Sequence, residues 1–97
     1  MTDLPFQLSA KIRAKLKQKH QVEPQEVAEC FYNRTGSTLI DTRENHKTDP
    51  PTEWFVAKTD KGRALKIIFI MDAGVIHIKS SFDADKQSIR IYKLKAK

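Results

Sequence analysis

One short segment, residues 63–71 (RALKIIFIM), limits the possible folds more than any other. It is apolar on both faces, as a strand buried in the middle of a sheet must be. Asp60-Lys61-Gly62 precedes it and Asp72-Ala73-Gly74 follows it. Each triplet ends in Gly, which supplies the left-handed backbone that tight hairpins need. The flanking segments 54–59 and 75–80 also read as strands. In the first, Phe55 and Ala57 face away from Trp54, Val56 and Lys58. Three strands joined by two tight turns make an antiparallel meander.

The N-terminal third follows a helical rhythm. Ser9 can cap a helix running to about His20, with Leu8, Ile12 and Leu16 recurring every four residues. Pro24 suits the first turn of a second helix, which runs to about Asn33, buries Val27, Cys30 and Phe31, and is closed by Gly36. The link between the two is short, so a helical hairpin is expected. Before it, residues 4–8 place Phe6 and Leu8 in alternation as a short edge strand. Residues 38–42 read as another short strand. Residues 43–52 (RENHKTDPPT) contain paired prolines that exclude regular structure. Residues 83–94 admit two readings: 88–94 alternates like a strand, whereas Asp83 or Asp85 can cap a helix with Ile89 and Tyr92 on one face. The expected fold is α+β: two N-terminal helices on a three- to four-stranded antiparallel meander, closed by a C-terminal helix, in a single domain over residues 1–97.

Composition narrows the function classes. The chain has 97 residues, Lys+Arg 18 and Asp+Glu 12, for a net charge of +6, and its 39% hydrophobic content is too high for a disordered chain at that charge. No apolar run approaches the ~20 residues of a membrane span, and no signal peptide is evident. Cys30 is the only cysteine, so no internal disulfide forms and a reducing, cytoplasmic location is expected. The charge is segregated: residues 1–20 carry a net +4, residues 21–60 a net −4, and residues 61–97 a net +6. Such a layout suits a polyanion or an acidic protein partner.

No metal-site or phosphate-loop motif is present. Asp41, Glu44, His46 and Asp49 lack the spacing and Gly of a calcium loop, so no metal and no cofactor are expected. Cys30 belongs to an apolar helix face and reads as core. Arg43 and His46, with Lys47, are donors suited to phosphate, and Trp54 lies just beyond them, as a core ring or as a stacking platform. The basic meander is the stronger candidate. His77 and Lys79 lie two apart, on one strand face, and are the candidate general acid and base. Lys66 and Arg63, with Arg90 and Tyr92 from the last element, would supply phosphate charge and base stacking. Whether Lys66 shares a face with His77 depends on the hairpin register, because a one-residue slip reverses the faces. A plain solvated basic edge that discourages strand aggregation is the alternative.

Residues 19–31 (KHQVEPQEVAECF) resemble the K-H-x-V…F signature near the start of BrnT-type toxins. The meander EWFVAKTDKGRALKIIFI, then HIKSS and a segment ending at Tyr92, resembles the same family's strands and last helix. The resemblance spans most of the chain. It implies a RelE-like fold and a small basic, metal-independent ribonuclease of a type II toxin–antitoxin system. An antitoxin-like protein or a second copy would be its partner, and RNA its substrate. Where such toxins carry an Arg-rich stretch, this chain has Phe82-Asp83-Ala84-Asp85, and Glu53 replaces a basic residue before Trp54. Fewer cations weaken phosphate handling. A catalytically silent protein-interaction or nucleic-acid-binding module on the same fold is therefore the alternative.

Overall fold

A computed structural model describes residues 4–41 and 49–96. Its elements are α1 (Ala10–His20), α2 (Pro24–Asn33), β1 (Leu39–Ile40), β2 (Thr52–Lys58), β3 (Ala64–Asp72), β4 (Val75–Asp83) and α3 (Lys86–Lys95). The strands form one antiparallel sheet in the order β1-β2-β3-β4. This is the α+β meander expected, with β3 central.

The turns follow from their residues. Asp72 pairs with Val75, leaving Ala73 (φ 52°) and Gly74 (φ 79°) as a two-residue loop with left-handed backbone at both positions. Gly62 (φ 88°) serves the β2–β3 turn. The cis peptide bond Asp49-Pro50 precedes β2.

Strand alternation splits the sheet into two faces. Phe55, Ala57, Leu65, Ile67, Phe69, Ile78 and Ser81 are buried on the inner face. Leu16 of α1 and Val27, Ala28 and Cys30 of α2 cover them, with Val22 from between the two helices. Phe31 sits edge-on to Phe55 at 4.8 Å and to Phe69 at 5.7 Å between ring centroids. Removing a fully buried ring such as Phe55 typically costs about 3–5 kcal/mol. Ser9 Oγ accepts from the Ile12 amide, as the sequence indicated. At the start of α2 the Glu26 carboxylate accepts from the Glu23 amide at 3.0 Å.

Two local expectations are corrected, and the open choice at residues 83–94 is decided for the helix. Residues 4–8 form no strand; Gln7 alone bridges to His77, its amide donating to Ile76 O and its carbonyl accepting from the Ile78 amide. Gly36 does not close α2 with a left-handed residue. The helix stops at Asn33 with Arg34 extended, and Gly36 instead lies where an added Cβ would come 3.0 Å from Tyr92 Oη. Residues 86–95 are helical, capped by Asp85, whose Oδ1 accepts from the Ser88 amide at 2.6 Å. A cap that satisfies the first turn's amides outweighs the weak strand alternation there.

Candidate functional site

The outer face of the sheet holds three of the candidates, Lys66, His77 and Lys79. Its rows are Thr52–Ile70–His77, Trp54–Ile68–Ser80 and Val56–Lys66–Phe82 across β2, β3 and β4. Lys66 therefore shares a face with His77. The register passes through a bulge: Phe69 pairs with Ile78 and Ile68 with Ser80, so Lys79 is the extra residue. A bulge sends two neighbouring side chains to one side. Lys79 thus joins His77 and Ser80 on the outer face, and both His77 and Lys79 are exposed. Neither side chain has a hydrogen bond or ion pair among the described residues.

Lys66 is separate from that pair. It lies four residue steps along β3 from Ile70, the partner of His77, or about 13 Å at ~3.3 Å per residue. Lys66 Nζ stands 4.5 Å from the centre of the Trp54 ring, within cation–π range. Trp54 is half-buried, with Tyr92 on it at 6.0 Å between centroids. It belongs largely to the packing of α3 on β2. Between this pair and α3 runs a groove of about 590 Å³ whose lining includes Leu39, Ile68, Asp85, Ser88 and Lys95. The Ser88 amide holds the Asp85 carboxyl below the usual range, with Lys66 contributing.

Three candidates are placed elsewhere than expected. Tyr92 is buried at 7% exposure between Trp54 and Gly36, so its ring offers no face to a base. Burial also pushes its phenol pKa up. Arg90 does not close over the sheet. It lines a shallow depression with Lys86, Ile89, Lys93 and Leu94, whereas Gln87, Ser88, Ile91 and Lys95 are the α3 residues turned to the groove. Helical phase explains the split, since residues spaced three or four apart share a face. Arg63 is engaged internally: Nε donates to Asp83 Oδ1, Nη1 to Gln21 O and Glu26, and Nη2 to His20 O. It is a tie between the turn and the helices. Arg43 and His46 lie outside the described residues.

Cys30 is core, as read. Its Sγ donates to Ala57 O at 3.6 Å, and burial, with Glu29 and Glu26 nearby, pushes the thiol to about 12. Such a thiol is not a nucleophile at neutral pH. Among the described residues no group of three His, Cys, Asp or Glu side chains could hold a metal ion, and no helix is long and apolar enough to cross a membrane.

Sequence reasoning missed two features. The bulge at Lys79 has no sequence signature here, although Lys79-Ser80-Ser81 interrupts the apolar pattern of the strand. The groove under α3 depended on residues 86–95 being helical. No protein-family model matches the chain, and no curated protein matches it.

Proposed function

We propose that this chain binds single-stranded RNA across the open part of its outer sheet face. One observation carries the reading: the exposed side chains of His77 and Lys79 stand together at the β4 bulge, beside the half-buried Ile68 and Ile70. Polar donors over an apolar strand surface suit a sugar–phosphate backbone with bases laid against the sheet. The Trp54–Lys66 groove continues the surface toward α3.

The same pair favours a second reading, a toxin-like, metal-independent ribonuclease on a RelE/BrnT-like fold. An imidazole and an ammonium on one face supply a base for the ribose 2′-hydroxyl and a cation for the phosphate. The 2′-oxygen would attack the adjacent phosphorus, and the 5′-oxygen would leave with a proton. Arg63 and Tyr92 take no part, since their side chains are committed to the fold. This reading brings with it a cytoplasmic location and an antitoxin-like partner or a second copy of the chain.

Titration of labelled single-stranded RNA, with a gel of the products, separates the readings. The wild-type chain should bind, and His77→Ala/Lys79→Ala should weaken binding about tenfold, or ~1.4 kcal/mol. Product formation by wild type that the double variant loses supports the ribonuclease. Binding without products supports the silent module. RNA binding that the double variant retains in full contradicts both.

A further inference from the structure

The other face of the molecule carries the densest charge. Helix α1 holds Lys11, Arg13, Lys15, Lys17 and Lys19 with no acidic residue. None of the five is ion-paired among the described residues. Lys11, Arg13, Lys17 and Lys19 are exposed, and Lys15 is half-buried.

Their arrangement matters more than their number. Leu16, 1% exposed, fixes the inward direction of α1, and Ile12 leans the same way. The ridge opposite Leu16 is made of Ala14 and Gln18, with Ala10 close by; all three are exposed. At roughly 100° per residue, Lys11 stands about 40° from that ridge, Lys15 and Lys17 about 80° to either side of it, and Lys19 and Arg13 about 120°. A small, uncharged ridge thus runs between two basic rows, one of Lys11, Lys15 and Lys19, the other of Arg13 and Lys17.

We infer that α1 is a binding surface for B-form duplex DNA, entering the major groove along the Ala14–Gln18 ridge. An α-helix is about 10–12 Å across with its side chains, and the B-form major groove is about 12 Å wide. Phosphates then lie on both flanks of the helix, where the two basic rows are. Ala14 lets the backbone approach the groove floor, and the Gln18 amide can reach base edges. The deep, narrow major groove of A-form RNA does not admit such a helix. A helix lying on an anionic membrane needs apolar side chains turned outward, whereas the apolar stripe of α1 faces the core. The surface is independent of the RNA-binding face, because α1 packs on the opposite side of the sheet.

The full chain is titrated by anisotropy, over a range of salt, with a short DNA duplex, the RNA duplex of the same sequence and phosphatidylserine vesicles. The DNA duplex should bind more tightly than the RNA duplex. Lys15→Gln/Lys17→Gln should flatten the log–log salt dependence by about 1.8, close to 0.9 for each lost phosphate contact. Gln18→Glu puts a carboxylate on the ridge and should weaken DNA binding about tenfold or more, the scale of a ~1.4 kcal/mol loss. Lys61→Gln removes an exposed cation from the β2–β3 turn and should leave the slope unchanged. Far-ultraviolet circular dichroism confirms that each variant is folded. An unchanged slope in the double variant overturns the inference, as does equal or tighter binding of the RNA duplex, or binding of vesicles without binding of DNA.

Discussion

Arg63 Nε donates to Asp83 Oδ1 at 2.7 Å while its terminal nitrogens reach the carbonyls of His20 and Gln21 at 2.9 and 2.8 Å. One side chain thus joins the β2–β3 turn to the end of β4 and to the C-terminus of α1. Gln21, left-handed at φ 52°, ends that helix, and its last carbonyls need donors. Glu26 Oε2 completes the set at 3.1 Å.

Replacing Arg63 should therefore cost stability. Arg63→Ala should lose about 2–3 kcal/mol, since bonds to charged groups are worth about 1.5–3 kcal/mol and exposed pairs about 0–1. Arg63→Lys should recover only part of this, because a point charge cannot fork to several acceptors. Urea unfolding midpoints measure both. Wild-type stability in Arg63→Ala contradicts the structural role.

The same pair sets a pH dependence. Hydrogen bonding to Arg63 holds the Asp83 carboxyl below its usual range. A carboxylate with a lowered native pKa contributes stability that is fully present above the unfolded value of about 4 and is lost as pH falls through the native value. The Asp83 side chain is 71% exposed, so its contribution is under about 1 kcal/mol. Wild type should exceed Asp83→Asn by a constant margin between about pH 5 and 7, and the margin should close below about pH 4. Unfolding midpoints at pH 7, 5 and 3 test this, and a margin that grows on acidification contradicts it.

Gly36 is required by contact. An added Cβ would stand 3.0 Å from Tyr92 Oη and 3.1 Å from the Ala96 Cβ. Gly36→Ala should lift the end of α3 and cost about 1–3 kcal/mol, the usual range for overpacking. Tyr92→Phe/Gly36→Ala should regain part of that loss, read by thermal unfolding. Equal midpoints for Gly36→Ala and wild type contradict the contact.

Ala73 is the weak member of its turn. At φ 52° it takes a left-handed conformation that costs a residue with a Cβ roughly 1–2 kcal/mol, whereas Asn and Gly tolerate it. Ala73→Asn gives the Asn-Gly pair favoured in two-residue hairpins and should stabilise by about 0.5–1 kcal/mol. A raised melting temperature supports this; a lowered one contradicts it.

Much of the fold was legible because local and global signals agreed. Ser9, Pro24, Gly62 and Gly74 marked element ends that the structure keeps. The apolar run at 67–71 placed β3 at the sheet centre. The site was less legible. An Arg on a basic meander and an Arg tied to four internal partners look alike in sequence, and only the fold of α1, α2 and β4 around Arg63 tells them apart. Tyr92 was burial mistaken for display, because its fate depended on whether residues 83–94 formed strand or helix. The shared face of Lys66 and His77 rests on a two-residue loop at Ala73-Gly74, and the triplet Asp72-Ala73-Gly74 does not by itself show how many of its residues the loop takes.

Amide NMR of the full chain, titrated with single-stranded RNA, locates the RNA-binding surface. Shifts should be confined to Ile68, Ile70, His77, Lys79 and Ser80 and to the groove beside Trp54, with the inner face and α2 unmoved. Shifts centred on α2 or on the inner-face strand residues, or no shifts at saturating RNA, would contradict the assignment of the outer sheet face.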